Sequence, residues 1–146
     1  MSVWSGRWFS YFAALSFITV IGIYLLDIPT IVSGAPDLVK EYYYDNAIGS
    51  FVLDVFLVAA YISAAMYVAG IFGISGNDHA KQVVAVAITS AMISTAFMLL
   101  FNNGLAKGSF FSRWFKRVGM KAVLYDVGLV SSIYLVMISI HKKIFV

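Results

Sequence analysis

Four long apolar stretches occupy most of the chain, and they limit the folds open to it more than any other feature does. Residues 8–26, 55–77 and 82–106 contain no Asp, Glu, Lys or Arg, and residues 122–140 contain only Asp126. Crossing roughly 30 Å of hydrocarbon takes about 20 helical residues, so each stretch is long enough. Because hydrocarbon offers no hydrogen-bond partners, the backbone must form helices or a closed barrel, and barrel strands alternate in polarity over about 10 residues. We therefore predict an all-α integral membrane four-helix bundle, with spans at about residues 8–27, 50–74, 82–104 and 122–141.

The bundle is predicted to be a single transmembrane domain of residues 1–146, built as two helical hairpins. Only 12% of the residues are charged, against about 25% in a typical soluble domain, which leaves no room for a separate catalytic or receptor domain. The pattern D-V-x-L-V occurs at residues 54–58 and again at residues 126–130. A tandem duplication or a chance match explains this likeness. Either way, Asp54 and Asp126 are expected in the same leaflet at similar depth.

Small residues indicate how the spans pack. Span two has Ala65, Ala69 and Gly73 at four-residue spacing, and span three has Ser90 and Ser94. Helix association in lipid depends on close backbone approach and interhelical hydrogen bonds. We therefore predict a tight central hairpin of spans two and three, with the bulkier spans one and four facing lipid. A homo-oligomer that uses one of the small-residue faces is an alternative.

The loops differ sharply in charge. Loop one, at about residues 27–46, has four acids and one lysine, whereas loop three, at about residues 103–121, has five basic residues and no acid. Apolar residues recur at three- and four-residue spacing from Phe110 to Val118, which predicts a short amphipathic helix lying in the membrane interface. Six Lys and Arg on the side of loops one and three, against four on the other side, favour a cytoplasmic position for these loops.

Loop three is a candidate docking surface. Lysine and arginine near an anionic membrane surface gain about 1 kcal/mol each, which favours contact with anionic headgroups. Docking to an acidic protein partner is the alternative, and loop one could be that partner within the chain or in a neighbouring copy. Nucleic acid is not expected, because the charged footprint is small. The docking residues are Lys107, Arg113, Trp114, Lys116, Arg117 and Lys121.

Polar groups near the spans gather toward one leaflet. An ionisable side chain in the middle of a span costs about 2.5–3.5 kcal/mol on insertion scales, so it usually faces the bundle interior or a partner. One interpretation is a proton- or cation-binding vestibule. The other interpretation is structural: Asp54 and Asp126 form ion pairs with Lys107, Lys121 or Arg117 and so fix the positions of helix ends. The predicted intramembrane polar cluster consists of Asp27, Asp54, Asn102, Asn103 and Asp126.

Catalytic and cofactor patterns are lacking in the sequence. It has no cysteine, and no HExxH, GxSxG, P-loop or dinucleotide-binding glycine motif. His79 and His141 lie at or beyond the ends of spans, which suits solvated residues better than haem ligands. We therefore expect neither an enzyme nor a cofactor.

Two family resemblances bear on function. A short, cysteine-free four-span chain with loops suited to docking resembles, in architecture, the membrane-anchored minor capsid proteins of large icosahedral DNA viruses. That resemblance implies a link between an inner viral membrane and its protein shell. The segment from Leu53-Asp54 to Ala64-Ala65-Met66 is similar to the third span of MARVEL-type proteins, which implies membrane apposition or trafficking. One further span follows it in that family, and two follow it here.

The sequence favours a non-enzymatic structural or assembly protein that anchors a larger complex to the bilayer, with a viral inner membrane as the membrane implied by the capsid resemblance. The alternative function is a small ion or proton carrier that uses Asp54 and Asp126. A further alternative is an accessory subunit of an energy-transducing membrane complex.

Overall fold

The computed structural model describes residues 3–146 as a chain of helices. Helices account for 85% of the described residues, which contain no strand. Four helices are long and apolar enough to cross a membrane, as predicted, which indicates a multi-pass membrane protein. These spans cover Trp4–Leu25, Ala47–Ile71, His79–Asn102 and Met120–Phe145. Each begins a few residues before its predicted start, because helices continue into polar residues outside the apolar stretch.

The first span changes its helical form part-way. Helix α1 covers Val3–Ile18, and a π-helical segment continues it over Thr19–Leu25. The span ends at a corner where Asp27 adopts a left-handed backbone conformation, with φ 51°. The first span contacts the second through the Tyr11 hydroxyl, which donates a 2.6 Å hydrogen bond to the carbonyl oxygen of Val55.

Loop one is folded rather than irregular. It contains α2 over Ile28–Ser33, α3 over Pro36–Lys40, and a π-helical turn over Glu41–Asp45. Pro29 and Pro36 lie in the first turns of α2 and α3, where a backbone N–H has no helical partner to lose. Proline thus supports both short helices.

The second and third spans are α4, over Ala47–Ile71, and α5, over His79–Asn102. A short turn joins them, and the Asp78 carboxylate caps α5 by accepting a 3.2 Å hydrogen bond from the backbone N–H of Lys81. The two helices pack against each other. Ala65 and Ala69 of α4 are buried, at 0% and 1% exposure, so small residues lie on the packed face of this helix.

Loop three contains the predicted short helix. Helix α6 covers Phe110–Val118, and the fourth span, α7, covers Met120–Phe145. The single residue between them is Gly119, with φ 61° and ψ −134°. A side chain is strained at this combination of angles, so glycine permits the sharp corner between α6 and α7.

The fourth span is central in the packing. It contacts both α1 and α5, while α4 contacts mainly α5. The prediction that spans one and four both face lipid is therefore wrong for span four, whose Ile133 is fully buried. Bulky aliphatic residues pack between helices as readily as they face lipid, so size alone did not separate the two positions. Each span contributes to the main core: Leu15, Ile62, Val86 and Ile133 all belong to it.

A second hydrophobic cluster joins loops one and three at one end of the bundle. It contains Leu38 and Tyr43 from loop one, Trp114 and Phe115 from α6, and Tyr125 from α7. We call α2, α3, the Glu41–Asp45 turn and α6 together the cap. Because both loops leave the spans at the same end, the cap covers that end.

Candidate functional site

The candidate site is a small cavity of about 50 Å³ beneath the cap. Asp54 of α4 and Asp126 of α7 both line it, so the two acids lie close together. Tyr42 and Tyr43 of the cap and Tyr125 of α7 also line it. A water molecule needs roughly 10–15 Å³ of such volume, so the cavity is large enough for a few waters.

Asp54 is held by a tyrosine of the cap. Its side chain lies on the inner face of α4 with Ser50, Val58 and Tyr61, and the residue is only 8% exposed. The Tyr42 hydroxyl donates a 2.6 Å hydrogen bond to Asp54 Oδ1. This short contact connects the cap directly to the carboxyl group inside the span.

Asp126 is held by a serine of the third span. The Ser94 hydroxyl donates a 2.5 Å hydrogen bond to Asp126 Oδ2, across the contact between α5 and α7. Ser94 is fully buried and lies one helical turn from Ser90. The small serine thus serves both purposes that the sequence pattern suggests, namely close helix approach and an interhelical hydrogen bond.

Tyrosines form the roof of the cavity. The hydroxyls of Tyr43 and Tyr125 are 2.7 Å apart, and the Tyr42 ring stacks on Phe110 with a centroid separation of 4.8 Å. Burial and the neighbouring Asp54 carboxyl raise the pKa of Tyr42. Burial likewise raises the pKa of Tyr43, so both phenols keep their protons.

The structure does not pair the two acids with basic residues as the structural interpretation predicted. In the described part of the chain, no ion pair involves Asp54 or Asp126. Lys107 and Lys121 are exposed, and Arg117 binds Asp37 instead. That pairing prediction is wrong because the cap directs its basic side chains outward and places a tyrosine layer over the acids.

The predicted five-residue polar cluster is only partly formed. Asp54 and Asp126 come together, whereas Asp27, Asn102 and Asn103 are exposed and do not line the cavity. Asp27 occupies the corner after the first span, and the two asparagines lie at and just beyond the end of α5. All three residues lie near the same end of the spans in the sequence. They do not join the cavity, because they lie outside the packed interior.

Loop one is the intramolecular partner of loop three. Both terminal nitrogens of Arg113 donate 2.6 Å hydrogen bonds to Glu41, and Arg117 donates a 2.5 Å hydrogen bond to Asp37. These arginines lower the pKa of Glu41 and of Asp37 through hydrogen bonds and charge. The intramolecular alternative is therefore the one that the structure contains.

The predicted docking residues divide into two groups. Trp114 is only 6% exposed and packs within the cap, so its assignment to a docking surface is wrong. The apolar face of α6 is covered by the protein's own residues, which is why Trp114 is unavailable. Arg113 and Arg117 are paired, and the exposed lysines are Lys107, Lys116 and Lys121.

Sequence reasoning missed the hydroxyl groups around the acids. Tyr42 and Tyr43 belong to a run of three tyrosines beside the second span, and this run was the available signal for polar groups near the membrane surface. Ser94 was recognised as a residue of the helix contact but not as the partner of Asp126. Two carboxylates surrounded by hydroxyls can hold and exchange a proton. In residues 3–146, no group of three or more His, Asp or Glu forms a metal site.

Comparison with known proteins gives no relative: no family model, curated protein or solved structure matches the chain. The chemistry of the site therefore follows from its own residues.

Proposed function

We propose that the protein is a non-enzymatic, multi-pass membrane protein that takes up a proton at the Asp54–Asp126 site. The observation that supports this proposal is that two carboxyl groups from different spans line one cavity and bind hydroxyls rather than cations. Two carboxyl groups in a water-poor site cannot both ionise without a large electrostatic cost. Protonation of one carboxyl group removes that electrostatic cost, so the site is suited to binding and releasing a proton.

A proton suits the site better than a metal ion does. Hard cations such as Ca²⁺ take about 6–8 oxygen ligands, which is a demanding set for two carboxyl groups in a cavity of about 50 Å³. A proton needs only one acceptor and a hydrogen-bonded neighbour. Tyr42 and Ser94 provide such neighbours, one for each acid.

The experiment that tests this proposal is infrared spectroscopy of the full chain in lipid bilayers at a series of pH values. The carbonyl stretch of a protonated carboxyl group absorbs apart from that of a carboxylate, so it reports protonation directly. We expect a protonated-carboxyl band that is lost or reduced in Asp54→Asn and in Asp126→Asn. Asp27→Asn is the matched control, since Asp27 is an exposed aspartate outside the cavity. A band that is unchanged in both cavity variants would overturn the proposal.

The arrangement in the bilayer forms part of the proposal. We infer that the spans form two helical hairpins, with the cap in the headgroup region and α6 lying along the interface. The exposed lysines of loop three support this position, because cations gain free energy near anionic headgroups. The apolar face of α6 is buried within the cap, so the contact with lipid would come from the charged side.

An anchoring role is the second candidate function. Lys107, Lys116 and Lys121 are exposed on or beside α6, where they are available to an anionic headgroup or to an acidic protein partner. This is the role of a structural or assembly protein that holds a larger complex on a membrane, a viral inner membrane in the case of the capsid resemblance.

Extraction of the protein from its native source in mild detergent, followed by native mass analysis, tests this second role. Stoichiometric association with a larger assembly, lost on changing the three lysines to glutamine, is the expected result. A lone monomer or small homo-oligomer would count against anchoring and leave the proton-binding proposal unaffected.

A further inference from the structure

A line of polar side chains continues from the cavity along the contact between α5 and α7. Two interhelical hydrogen bonds define the line: Ser94 to Asp126, and Tyr134 to Gln82, each at 2.5 Å. Gln82 and Ser94 are twelve residues apart on α5, which is about 18 Å along a helix that rises 1.5 Å per residue. The two bonds therefore lie toward opposite ends of the same helix contact.

Buried hydroxyls without partners lie between those two hydrogen bonds. In the described chain, four buried side-chain atoms have no hydrogen-bond partner, and two of them are the hydroxyl oxygens of Ser90 and Ser131. Ser90 is fully buried and lies one turn from Ser94, on the same face of α5. Ser131 lies three residues before Tyr134 on α7. Buried polar groups in native proteins nearly always have a partner, and ordered water often provides it.

The other two unpaired atoms lie on the same two helices, at the ends far from the cavity. They are the Nδ1 atoms of His79, the first residue of α5, and of His141, near the end of α7. His79 is three residues from Gln82, and His141 is seven residues, or two turns, from Tyr134. Both histidine side chains are partly exposed, so this end of the line reaches the opposite surface of the protein. An imidazole can receive a proton on one nitrogen and release one from the other.

We propose that this polar line, which we call the α5–α7 seam, conducts protons between the Asp54–Asp126 cavity and the opposite membrane surface at His79 and His141. The inference rests on the proposed function, because it supplies the route to the same carboxyl groups. It assigns a role to every unpaired buried polar atom in the described chain.

On the α5 side, an apolar section interrupts the seam between Ser90 and Gln82. Val86 and Ile133 are both fully buried in the main core, between Ser90 and the Gln82–Tyr134 hydrogen bond. Eight residues separate Ser90 from Gln82, about 12 Å along the helix, which is too far for a direct hydrogen bond. A proton crosses this section only when water enters it, so Val86 limits the rate.

Val86 therefore offers a test whose expected effect is a gain. Threonine has nearly the shape of valine and adds one hydroxyl, so Val86→Thr extends the polar line into the apolar section. Val84→Thr is the matched control, because Val84 is on the same helix but 56% exposed on its outer face. Ser90→Val acts in the opposite direction by removing a hydroxyl from the seam, with Ser63→Val on the exposed face of α4 as its control.

Proton flux is measured with the full chain in vesicles of phosphatidylcholine and phosphatidylglycerol that contain a trapped pH-sensitive dye. A potassium gradient with valinomycin drives the flux. We expect wild-type vesicles to exceed protein-free vesicles, Val86→Thr to exceed wild type, and Ser90→Val and Asp126→Asn to fall to the protein-free rate. Both control variants should match wild type.

Two results would overturn the seam. One is a wild-type rate no faster than that of protein-free vesicles, and the other is a wild-type rate in both Ser90→Val and Val86→Thr. With either result, the proposed proton-binding site still holds if the infrared band responds to Asp54→Asn and Asp126→Asn. If that band does not respond, the proposed function itself fails. Circular dichroism and thermal unfolding of each variant separate lost conduction from lost folding.

Discussion

Arg113 of α6 holds Glu41, 72 positions earlier in the chain, with both of its terminal guanidinium nitrogens at 2.6 Å. Four residues farther along α6, Arg117 binds Asp37, which lies four residues before Glu41. The two ion pairs therefore run antiparallel, and they fasten the two loops that form the cap. A paired, two-nitrogen contact with a carboxylate fixes orientation as well as distance.

Reversing the charges of one pair tests whether the contact holds the cap closed. We expect Arg113→Glu to lower the midpoint of cap unfolding slightly, since exposed ion pairs contribute little, and Glu41→Arg to do the same. The double variant should recover most of the loss. Fluorescence of buried Trp114 reports the transition in a protein with Trp4→Phe and Trp8→Phe. Losses that simply add in the double variant would show that the two side chains do not interact.

The cap should loosen at low pH. The arginines hold the pKa of Asp37 and of Glu41 below the ordinary values of 3.8 and 4.5. A lowered pKa means that the unfolded cap binds more protons, so this stabilisation is fully present above the ordinary values. It is lost as pH falls through the lowered values. Trp114 fluorescence against pH measures the effect, and Asp37→Asn with Glu41→Gln should flatten the curve below pH 4.5.

Loss of the Tyr42 hydroxyl should lower the free energy of unfolding. Tyr42→Phe removes the donor to Asp54 and leaves a buried carboxyl group with one partner fewer, which costs about 1–3 kcal/mol of unfolding free energy. The infrared band of the protonated carboxyl group should also shift. Tyr44→Phe is the control, because Tyr44 is 52% exposed and lies outside the cavity. Equal behaviour of the two variants would argue against a role for the hydrogen bond.

The corner between α6 and α7 should tolerate only glycine. At φ 61° and ψ −134°, an alanine at position 119 costs about 1–3 kcal/mol, because backbone in this region is strained with any side chain. Gly128→Ala is the comparison within α7. Nothing would lie within 4 Å of its added methyl group, and alanine favours a helix interior by roughly 0.5–1 kcal/mol over glycine. Thermal unfolding should therefore move in opposite directions for the two variants.

The spans could be predicted from sequence because hydrocarbon imposes a length and a composition on anything that crosses it. Charge also carried information: acids in loop one and bases in loop three made a contact between the loops one of the alternatives, and the structure contains that contact. The short helix α6 followed from its apolar spacing in the same way.

The partners of Asp54 and Asp126 could not be predicted in this way. They depend on how far each helix is rotated about its axis, and a nearly uniform apolar span gives no signal for that rotation. Ser94 reaches Asp126 only because α5 packs against α7, and Tyr42 reaches Asp54 only because the Glu41–Asp45 turn folds back over α4. The central position of α7 was missed for the same reason.

The central position of the fourth span has a consequence for biosynthesis. Chains enter the membrane from the N-terminus onward, so α1 arrives long before α7, the helix that it chiefly contacts. Until α7 is inserted, the apolar face of α1 can contact lipid at little cost in free energy, since lipid tails are as apolar as leucine. Its buried Ser10 hydroxyl already donates a 2.8 Å hydrogen bond to the Gly6 carbonyl oxygen of its own helix. The Ser10 hydroxyl therefore needs no other helix, the Tyr11 hydroxyl gains its Val55 partner when α4 is inserted, and α7 later completes the packing around α1.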